Sequence, residues 1–331
     1  MLKEFWSKRM LRWLLAFVAL SLCAPAHAQV WPTRPVTLVV PFAPGGVYDT
    51  FGRVYAASLS ELLHQQVIVE NVPGAGGMTG AARVARADPD GYQLLLGGES
   101  PNAQVQLLHK EPAYDAAKDF APIALVAQQP LILTARPGIP AGNLADFITY
   151  AKANQAKMQY GSPGTGTGSH LACALLGLSV GIDVTHVPFR GLGPAMQELL
   201  AGRIDYLCPT ITTAIAQIDS HQVQATAVLG RERSASLPGV ATAQEQGLKD
   251  FEVYSWNAIF LPKATPASIG EKLHAAAVAA MDQPAVQSRL HDLGATAPLA
   301  DQRSPQYLQG FVDSELKKWS GVVKAAGIAA E

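Results

Sequence analysis

Two glycine-rich turns constrain the fold of this chain more than any other feature of its sequence. The first turn, residues 41–49, reads PFAPGGVYD, and the second turn, residues 160–170, reads YGSPGTGTGSH. Each turn follows a strand-like run and precedes a run with helical spacing of apolar residues. Glycine at such a junction lets the backbone turn tightly between the two elements. The pattern predicts an α/β fold with a parallel sheet in each half of the chain.

The remaining apolar runs continue this alternation of strands and helices. Strand-like runs lie at residues 36–40, 67–69, 93–96, 123–127, 131–135, 158–160, 184–187, 204–207, 225–229 and 251–261. Helix-like runs lie at residues 51–63, 81–85, 145–153, 171–178, 194–201 and roughly 304–326. We expect one domain formed by residues 29–127 together with 251–331 and a second domain formed by residues 128–250, with the chain crossing at residues 128–130.

The N-terminus has the composition of an export signal. Its basic residues are Lys3, Lys8, Arg9 and Arg12. An apolar run at residues 13–22 follows, and residues 26–28 (AHA) match a small-residue cleavage site. The run is too short to span a bilayer of about 30 Å, and Leu22 is bulkier than the residue expected before a lipidated cysteine at Cys23. We predict that residues 1–28 are a signal peptide, cleaved after its last residue, and that the protein is periplasmic.

The charge of the chain argues against a nucleic-acid partner. The sequence contains 25 lysines and arginines and 26 aspartates and glutamates, which gives a formal net charge of −1. A site for an anion must therefore be local and formed by backbone amides and helix dipoles. The eight histidines are scattered along the sequence, so we expect no metal ion and no cofactor.

Two cysteines, Cys173 and Cys208, follow the predicted signal peptide. One lies in a predicted helix and the other in a predicted strand of the second domain. An oxidising compartment permits a disulfide between them, but we favour two buried apolar thiols, which is the common state of structural cysteines.

The first turn offers backbone amides at the positive end of a helix dipole, which suits a carboxylate or phosphate. Gly45 and Gly46 permit the turn, and Asp49 lies near the helix start, where it either caps the helix or contacts a ligand. Tyr48 is interpreted either as a residue at the mouth of a cleft or as a surface aromatic residue. Arg53 can pair with Asp49 at helical spacing.

The second turn combines backbone amides with hydroxyl groups. Ser162, Thr165 and Thr167 can bond a ligand carboxylate or satisfy the turn and cap the following helix. Charge-assisted hydrogen bonds of this kind contribute about 1.5–3 kcal/mol each. His170 is interpreted as a packed or helix-surface residue rather than a catalyst, because no partner for a catalytic triad lies nearby in the sequence. A G-x-S-x-G motif is absent from the chain.

Two rival functions arise from the same sequence. Glycines at residues 74–80, with Asp90 further on, partly match a dinucleotide fingerprint. The third glycine is displaced by one residue, so we do not favour this interpretation. An exported hydrolase would need a convergent nucleophile, base and orienting group, which this sequence does not supply.

Taken together, these segments resemble the Bug-type periplasmic receptors of tripartite tricarboxylate transporters. The matching pieces are Trp31-Pro32 with Pro35-Val36, residues 41–49, residues 71–80, Pro89-Asp90-Gly91-Tyr92, residues 160–172, residues 187–205, Trp256 and residues 262–266. The resemblance implies a type II periplasmic binding protein fold, in which two α/β domains are joined by two crossing strands. It also implies a receptor rather than an enzyme.

The resemblance further implies that amides and hydroxyls of two facing turns hold a ligand carboxylate. The positions that match are Ala43, Gly45, Gly46 and Asp49 in the first turn, and Ser162, Gly164, Thr165, Gly166 and Thr167 in the second. The family usually has Pro in place of Ala43 and a small or polar residue where Tyr48 stands. Tyr48 is therefore expected to narrow the cleft or to stack on an aromatic acid.

The expected function is an extracytoplasmic receptor for a small di- or tricarboxylate, amino acid or aromatic acid. We add Tyr48, His170, Phe189 and Thr210 to the candidate ligand-binding residues, and we also consider Ser100, Arg190 and Pro209 for specificity. The expected partners are the small and large membrane subunits of a tripartite tricarboxylate transporter, with the receptor itself a monomer. A receptor that feeds a sensor kinase would share this binding chemistry and differ only in its partner.

Overall fold

The computed structural model describes residues 31–328, so the predicted signal peptide lies outside the described residues. The chain divides into two units, residues 1–33 and residues 34–331, and every strand and helix discussed below lies in the second unit. The strands are β1 (Val36–Val40), β2 (Val67–Asn71), β3 (Gln93–Gly98), β4 (Phe120–Pro130), β5 (Ile132–Ala135), β6 (Gln159–Ser162), β7 (Thr185–Pro188), β8 (Tyr206–Leu207), β9 (Gln224–Val228) and β10 (Tyr254–Pro262).

The helices follow the strands in the alternation expected of an α/β protein. They are α1 (Val47–Leu63), α2 (Met78–Ala85), α3 (Leu144–Asn154), α4 (Gly168–Val180), α5 (Leu192–Leu200), α6 (Ile211–Asp219), α7 (Ala267–Asp282), α8 (Pro284–Asp292) and α9 (Pro305–Ala325). Among the described residues, none of these helices combines the length and the apolar character that a membrane span requires.

The strands form two five-stranded mixed sheets with similar connectivity. The first sheet has the order β2-β1-β3-β10-β4, and the second has the order β7-β6-β8-β5-β9. In the first sheet β1 pairs in parallel with β2 and β3, and β10 runs antiparallel to β3 and β4. In the second sheet β6 pairs in parallel with β7 and β8, and β5 runs antiparallel to β8 and β9. The predicted α/β fold with two sheets is confirmed, but the expectation of parallel sheets is wrong. Each sheet is mixed, because β10 and β5 return from the other lobe or lead into it and run antiparallel to their neighbours.

We call the part built on the first sheet the first lobe and the part built on the second sheet the second lobe. In the first lobe α1 packs against α7 and β2, and α2 packs against β3. In the second lobe α4 packs against β6, and α5 packs against β6 and β8. The apolar faces of these helices cover β-branched and leucine-rich strands such as β1, in which Val36, Leu38, Val39 and Val40 are fully buried. This burial supplies most of the driving force for folding.

The two lobes are joined by short, hydrogen-bonded crossings. Leu131 alone separates β4 from β5, and residues 229–253 lead back from β9 to β10. Where the chain passes between the sheets, the amide of Leu229 donates to the carbonyl of Leu131 (2.8 Å), and the amide of Val253 donates to the carbonyl of Leu229 (2.7 Å). The amide of Leu131 in turn donates to the carbonyl of Val253 (3.4 Å). The crossings are therefore tied to one another where the chain passes between the sheets.

The crossing lies slightly later than the sequence suggested. Residues 128–130 do not form a linker, because Gln128, Gln129 and Pro130 pair with Trp256, Ser255 and Tyr254 of β10. The predicted domain boundaries, after residues 127 and 250, stay a prediction. Helix α6 was not anticipated at all from the sequence.

The structure contradicts one expectation directly. Cys173 of α4 and Cys208, which follows β8, form a disulfide with 5.7 Å between their Cα atoms. The expectation of two free thiols is therefore wrong. The bond ties the helix that begins at the second turn to the end of a central strand of the same sheet.

Helix α9 packs against both lobes, since it contacts β4 of the first sheet and α4 of the second lobe. On its buried face Glu315 accepts hydrogen bonds from the indole nitrogens of Trp256 (3.2 Å) and Trp319 (2.9 Å). Lys318 forms an ion pair with the same carboxylate. A single buried carboxylate thus satisfies two indole N–H groups that would be costly to leave unpaired.

We expect Glu315→Gln to lower the free energy of unfolding by about 1 kcal/mol, because the amide keeps one acceptor but loses the charge. Urea denaturation measures this change. The exposed Glu271 of α7 offers a matched control, Glu271→Gln, which should change stability by less than about 0.5 kcal/mol. Indistinguishable unfolding curves for the two variants would contradict this role of Glu315.

Candidate ligand-binding site

The strand orders indicate a binding position at the same point of each sheet. In the first sheet β1 and β3 are neighbours, and the chain leaving β1 returns on one side of this pair (β2) while the chain leaving β3 returns on the other side (β4). In the second sheet the chain leaving β6 returns at β7, and the chain leaving the neighbouring β8 returns on the other side at β9. Ligands of open α/β sheets bind beyond the carboxyl ends of strands at such switch points. The first turn and Glu99 follow β1 and β3, and the second turn and Thr210 lie beyond β6 and β8.

The first turn is held in shape by the buried side chain of Asp49, which is 4 % exposed. One carboxylate oxygen accepts from the amide of Gly45 (2.9 Å) and from Nε of Arg53 (3.0 Å), and the other accepts from Nδ2 of Asn71 (3.0 Å). The same Asn71 amide donates to the carbonyl of Phe42 (3.0 Å). The Arg53 hydrogen bond, supported by the Gly45 and Asn71 donors, holds the pKa of Asp49 below its usual value.

Tyr48 points from the first turn to Glu99, which is 9 % exposed at the end of β3. The phenol donates to Oε2 of Glu99 (3.2 Å), and the Tyr48 ring packs on Phe42 with 4.3 Å between ring centroids. Oε2 also accepts from the amide of Trp256 (3.0 Å), and Oε1 accepts from the hydroxyl of Ser255 (2.9 Å). Burial raises the pKa of Glu99, while these donors oppose the rise. Burial and the nearby Glu99 raise the pKa of Tyr48 well above its usual value.

Residues 74–80, which partly match a dinucleotide fingerprint, lie beside the same position. The hydroxyl of Ser100 donates to the carbonyl of Gly76 (2.7 Å). A Cβ on Gly77 would lie 3.1 Å from the Phe42 ring, so the segment also packs on the start of the first turn. The segment therefore supports the first turn and the residues that follow β3.

The second turn ends in a well-capped helix N-terminus. Thr167 is the N-cap of α4 and its hydroxyl accepts from the amide of His170 (3.4 Å). The amide of Gly166, whose φ is +77°, donates to Nδ1 of His170 (2.9 Å). The positive end of the α4 dipole and the amides of its first turn point out of the lobe at Gly168 and Ser169.

Ser162 and His170 stabilise the second turn from inside the lobe. The hydroxyl of the fully buried Ser162 donates to the carbonyl of Gly164 (2.9 Å) and lies 2.7 Å from Nε2 of His186. His186 stacks on His170 with 3.8 Å between ring centroids, and both rings pack near Tyr160. Burial lowers the pKa of His186 to about 4, and burial together with His186 lowers the pKa of His170 to about 3. The two rings are thus neutral at physiological pH.

These two neutral histidines predict how stability depends on pH. In the unfolded chain a histidine has a pKa of about 6.5. Between pH 6.5 and 4 these two histidines therefore bind more protons in the unfolded chain than in the folded chain. The free energy of unfolding should therefore fall as the pH is lowered from 7 to 5. The fall attributable to His186 should be smaller than the about 1.4 kcal/mol per pH unit of a fully buried histidine.

Urea denaturation at pH 7, 6 and 5 measures this effect. His186→Gln keeps a hydrogen-bonding group beside Ser162 and should flatten the pH dependence. His291→Gln, at an exposed position on α8, should retain the wild-type slope. Parallel pH profiles for wild type and His186→Gln would contradict the assignment.

The second turn lies against residues 99–108 of the first lobe. A Cβ built on Gly168 would lie 3.7 Å from both Cγ and Oε1 of Glu99, and 3.8 Å from Nε2 of Gln104. A Cβ on Gly166 would approach Cδ1 of Leu108 to 1.8 Å, so only glycine fits there without displacing Leu108. Glu99, which Tyr48 links to the first turn, thus lies close to the start of α4 in the other lobe.

The remaining candidate residues differ in how exposed they are. Ala43, Gly45 and Gly46 are exposed on the first turn, and Thr165 is exposed on the second. Phe189 is half-buried and its amide donates to the carbonyl of Ser162 (2.9 Å). Thr210 is half-buried at the start of α6 and bridges to Leu131 at the crossing. The roles of all of these residues in binding stay predictions.

Residues 99–108 are the part of the site that sequence reasoning missed, apart from Ser100. They form a π-helical turn (Ser100–Gln104) and a 3₁₀ turn (Val105–Leu108) immediately after β3. The signal available was Glu99 directly after the paired Gly97 and Gly98. A polar residue at the carboxyl end of a buried strand is typical of a binding site in an α/β sheet.

Comparison with known proteins identifies the family of this chain. Residues 51–328 match the family model described as "Tripartite tricarboxylate transporter family receptor". The chain belongs to this family. Its members are solute-binding receptors and not enzymes. The buried Ser162 beside His186 is accordingly part of the architecture of the receptor rather than a nucleophile.

Three solved structures from this receptor family resemble the chain along almost its whole length. MatC from Rhodopseudomonas palustris with bound malate is 40% identical, with a TM-score of 0.75, and the match covers 88% of this chain and 100% of MatC. A second R. palustris protein, solved with adipate, is 32% identical, with a TM-score of 0.77 and coverage of 90% and 99%. The periplasmic binding protein BugD is 36% identical, with a TM-score of 0.74 and coverage of 91% and 100%.

Proposed function

We propose that this receptor binds a small organic acid between its lobes in the periplasm and delivers it to the membrane subunits of a tripartite tricarboxylate transporter. The ligand is a di- or tricarboxylate, an amino acid or an aromatic acid. The observation that carries the proposal is the approach of the α4 N-terminus to Glu99, which Tyr48 connects to the first turn. Both ends of a short acid can be reached from this one position.

The chemistry of the two turns supports a carboxylate ligand. The start of α4 presents backbone amides and a helix dipole without a neighbouring lysine or arginine among the candidate residues, which suits an anion that must also be released. We expect the first turn to contribute amides at Ala43, Gly45 and Gly46, with Asp49 fixing their direction. In the second turn we expect amides and hydroxyls of residues 164–167 to contribute.

The family relatives support the same ligand class. MatC and its adipate-binding relative were solved with dicarboxylates of different length. Different receptors of this fold therefore hold acids that differ in the spacing of their carboxylates. We infer that Tyr48, Phe189 and Thr210 select among such acids.

Isothermal titration calorimetry of the purified receptor against mono-, di-, tri- and aromatic carboxylates tests the proposal. We expect at least one acid to bind with micromolar or tighter affinity, near −8 kcal/mol. An absence of heat with every acid, together with binding of an uncharged sugar or a metal ion, would overturn it.

The proposed location has its own test. If residues 1–28 are a signal peptide cleaved after Ala28, the exported protein begins at Gln29. N-terminal sequencing of the protein from a periplasmic extract should recover this terminus, whereas an intact Met1 in that fraction would contradict the predicted cleavage. A processed protein with lipid on Cys23 would also contradict it.

A further inference from the structure

Three side chains carry buried polar atoms that have no hydrogen-bond partner, and one of them, Gln104, lies beside the start of α4 in the other lobe. Both amide atoms of Gln104, Nδ2 of Asn102 and Oγ of Ser169 are buried and have no partner among residues 31–328. Gln104 is only 1 % exposed, and its Nε2 atom lies 3.8 Å from the position of a Cβ on Gly168. Leaving a buried polar group unsatisfied costs about 1–3 kcal/mol. The unpaired amide of Gln104 therefore points to a polar occupant at the start of α4.

The occupant meets donors on the side of the second lobe. The amides of Gly168 and Ser169 belong to the first turn of a 13-residue helix, where N–H groups lack intrahelical partners. The Gln104 amide adds a donor from the first lobe. A carboxylate placed here would accept from these groups and align with the helix dipole.

The occupant also meets an acceptor. Glu99 belongs to the first lobe, like Gln104, and its Oε1 lies 3.7 Å from the Gly168 Cβ position. Ser255 donates to this oxygen, while Tyr48 and Trp256 donate to the other one. Oε1 therefore keeps accepting capacity toward α4. A second ligand carboxylate placed against it would be repelled, whereas a hydroxyl or ammonium group could donate to it.

We propose that Glu99 selects acids that carry a hydrogen-bond donor beside the carboxylate, namely 2-hydroxy or 2-amino carboxylic acids. The carboxylate binds at the start of α4 with Gln104, and the neighbouring hydroxyl or ammonium group donates to Oε1 of Glu99. The inference rests on the proposed function, because it specifies which organic acids this site prefers. A site built to bond a ligand donor rejects the analogue that lacks it, because its own polar group is then left unpaired.

Matched pairs of acids that differ by one hydroxyl test the inference by calorimetry. Suitable pairs are lactate and propionate, malate and succinate, 2-hydroxyglutarate and glutarate, and mandelate and phenylacetate. For whichever carbon skeleton binds, we expect the hydroxy acid to bind at least tenfold more tightly than its partner. In Glu99→Gln this ratio should fall below about threefold.

The controls separate selection from folding. Glu111→Gln, at an exposed position in the same region of the chain, should keep the wild-type ratio. Gln104→Leu should weaken both members of a pair equally, because it removes a group that contacts the shared carboxylate. Thermal melting of each variant verifies that it is folded.

The outcomes also distinguish this inference from the proposed function. Equal affinities of the paired acids for the wild-type protein would overturn the selection by Glu99 and leave the receptor function intact. Selection by Glu99 would also be overturned if Glu99→Gln weakened both acids equally. A failure of every carboxylate to bind the wild-type protein would overturn both.

Discussion

Replacement of Asp49 by alanine is expected to weaken the binding of organic acids by about a hundredfold and to lower the free energy of unfolding by about 3 kcal/mol. The carboxylate is 4 % exposed and accepts from Gly45, Asn71 and Arg53. Without it the exposed part of the first turn loses its fixed shape. Binding would then have to order several residues, at about 1–2 kcal/mol of backbone entropy for each one.

The pH dependence of stability gives a second measure of the same carboxylate. The pKa of Asp49 is lowered in the folded protein. Its contribution to the free energy of unfolding is therefore fully present at pH values above its pKa in the unfolded chain, about 3.9, and is lost as the pH falls through its pKa in the folded protein. The destabilisation caused by Asp49→Ala should therefore be full at pH 7 and should shrink as the pH is lowered below about 3.9.

Calorimetry with the preferred acid and urea denaturation measure the two effects of Asp49→Ala. Arg53→Gln is the matched control, because it removes the exposed partner of Asp49 and leaves the carboxylate with the Gly45 and Asn71 donors. An i,i+4 surface pair of this kind contributes about 0.2–0.5 kcal/mol. Wild-type affinity in Asp49→Ala would show that the shape of the first turn does not matter for binding.

Loss of the disulfide between Cys173 and Cys208 is expected to lower the free energy of unfolding by about 3–4 kcal/mol. The two cysteines are separated by 35 residues, and a closed loop of this length restricts the unfolded chain by about that amount in the chain-entropy description. Both side chains are buried, so Cys173→Ala with Cys208→Ala adds the cost of two small cavities. Ligand affinity should also fall, because the bond ties α4 to the end of β8.

Denaturation with and without a thiol reductant measures the contribution of the disulfide. The wild-type protein should lose stability in the reductant, and the double alanine variant should not respond to it. A thiol titration of the denatured, unreduced protein should detect neither cysteine of the pair. Two titratable thiols, or the same unfolding curve in both conditions, would contradict the bond.

Local signals in the sequence were sufficient for most of the fold. The run at residues 36–40 and the glycines after it predicted β1 and the start of α1, because β-branched residues and glycine act within a few positions of themselves. The parallel alternation around the second turn followed in the same way. Helix α6 was not predicted because threonine and isoleucine favour strands. In the folded protein the burial of Ile211, Ala214 and Ile218 on one face of the helix overrides this preference.

The parts that sequence reasoning missed depend on contacts between distant residues. The environment of Glu99 exists because β10 lies beside β3 and brings Ser255 and Trp256 to it from more than 150 residues away. The disulfide depends on how α4 packs over β8, which no spacing rule determines. The positions of the two turns in the sequence were thus predictable, whereas the position of Glu99 beside both turns was not.

Because α9 is packed against β4 and α4 together, the lobes cannot separate widely without peeling this helix from one of them. Trp319 and Val322 are buried on it, and exposing such side chains costs about 1.5–3 kcal/mol each. Any motion that separates the lobes widely therefore uncovers apolar side chains of this helix. The last helix of the chain thus contributes to the energy difference between open and closed forms of the receptor.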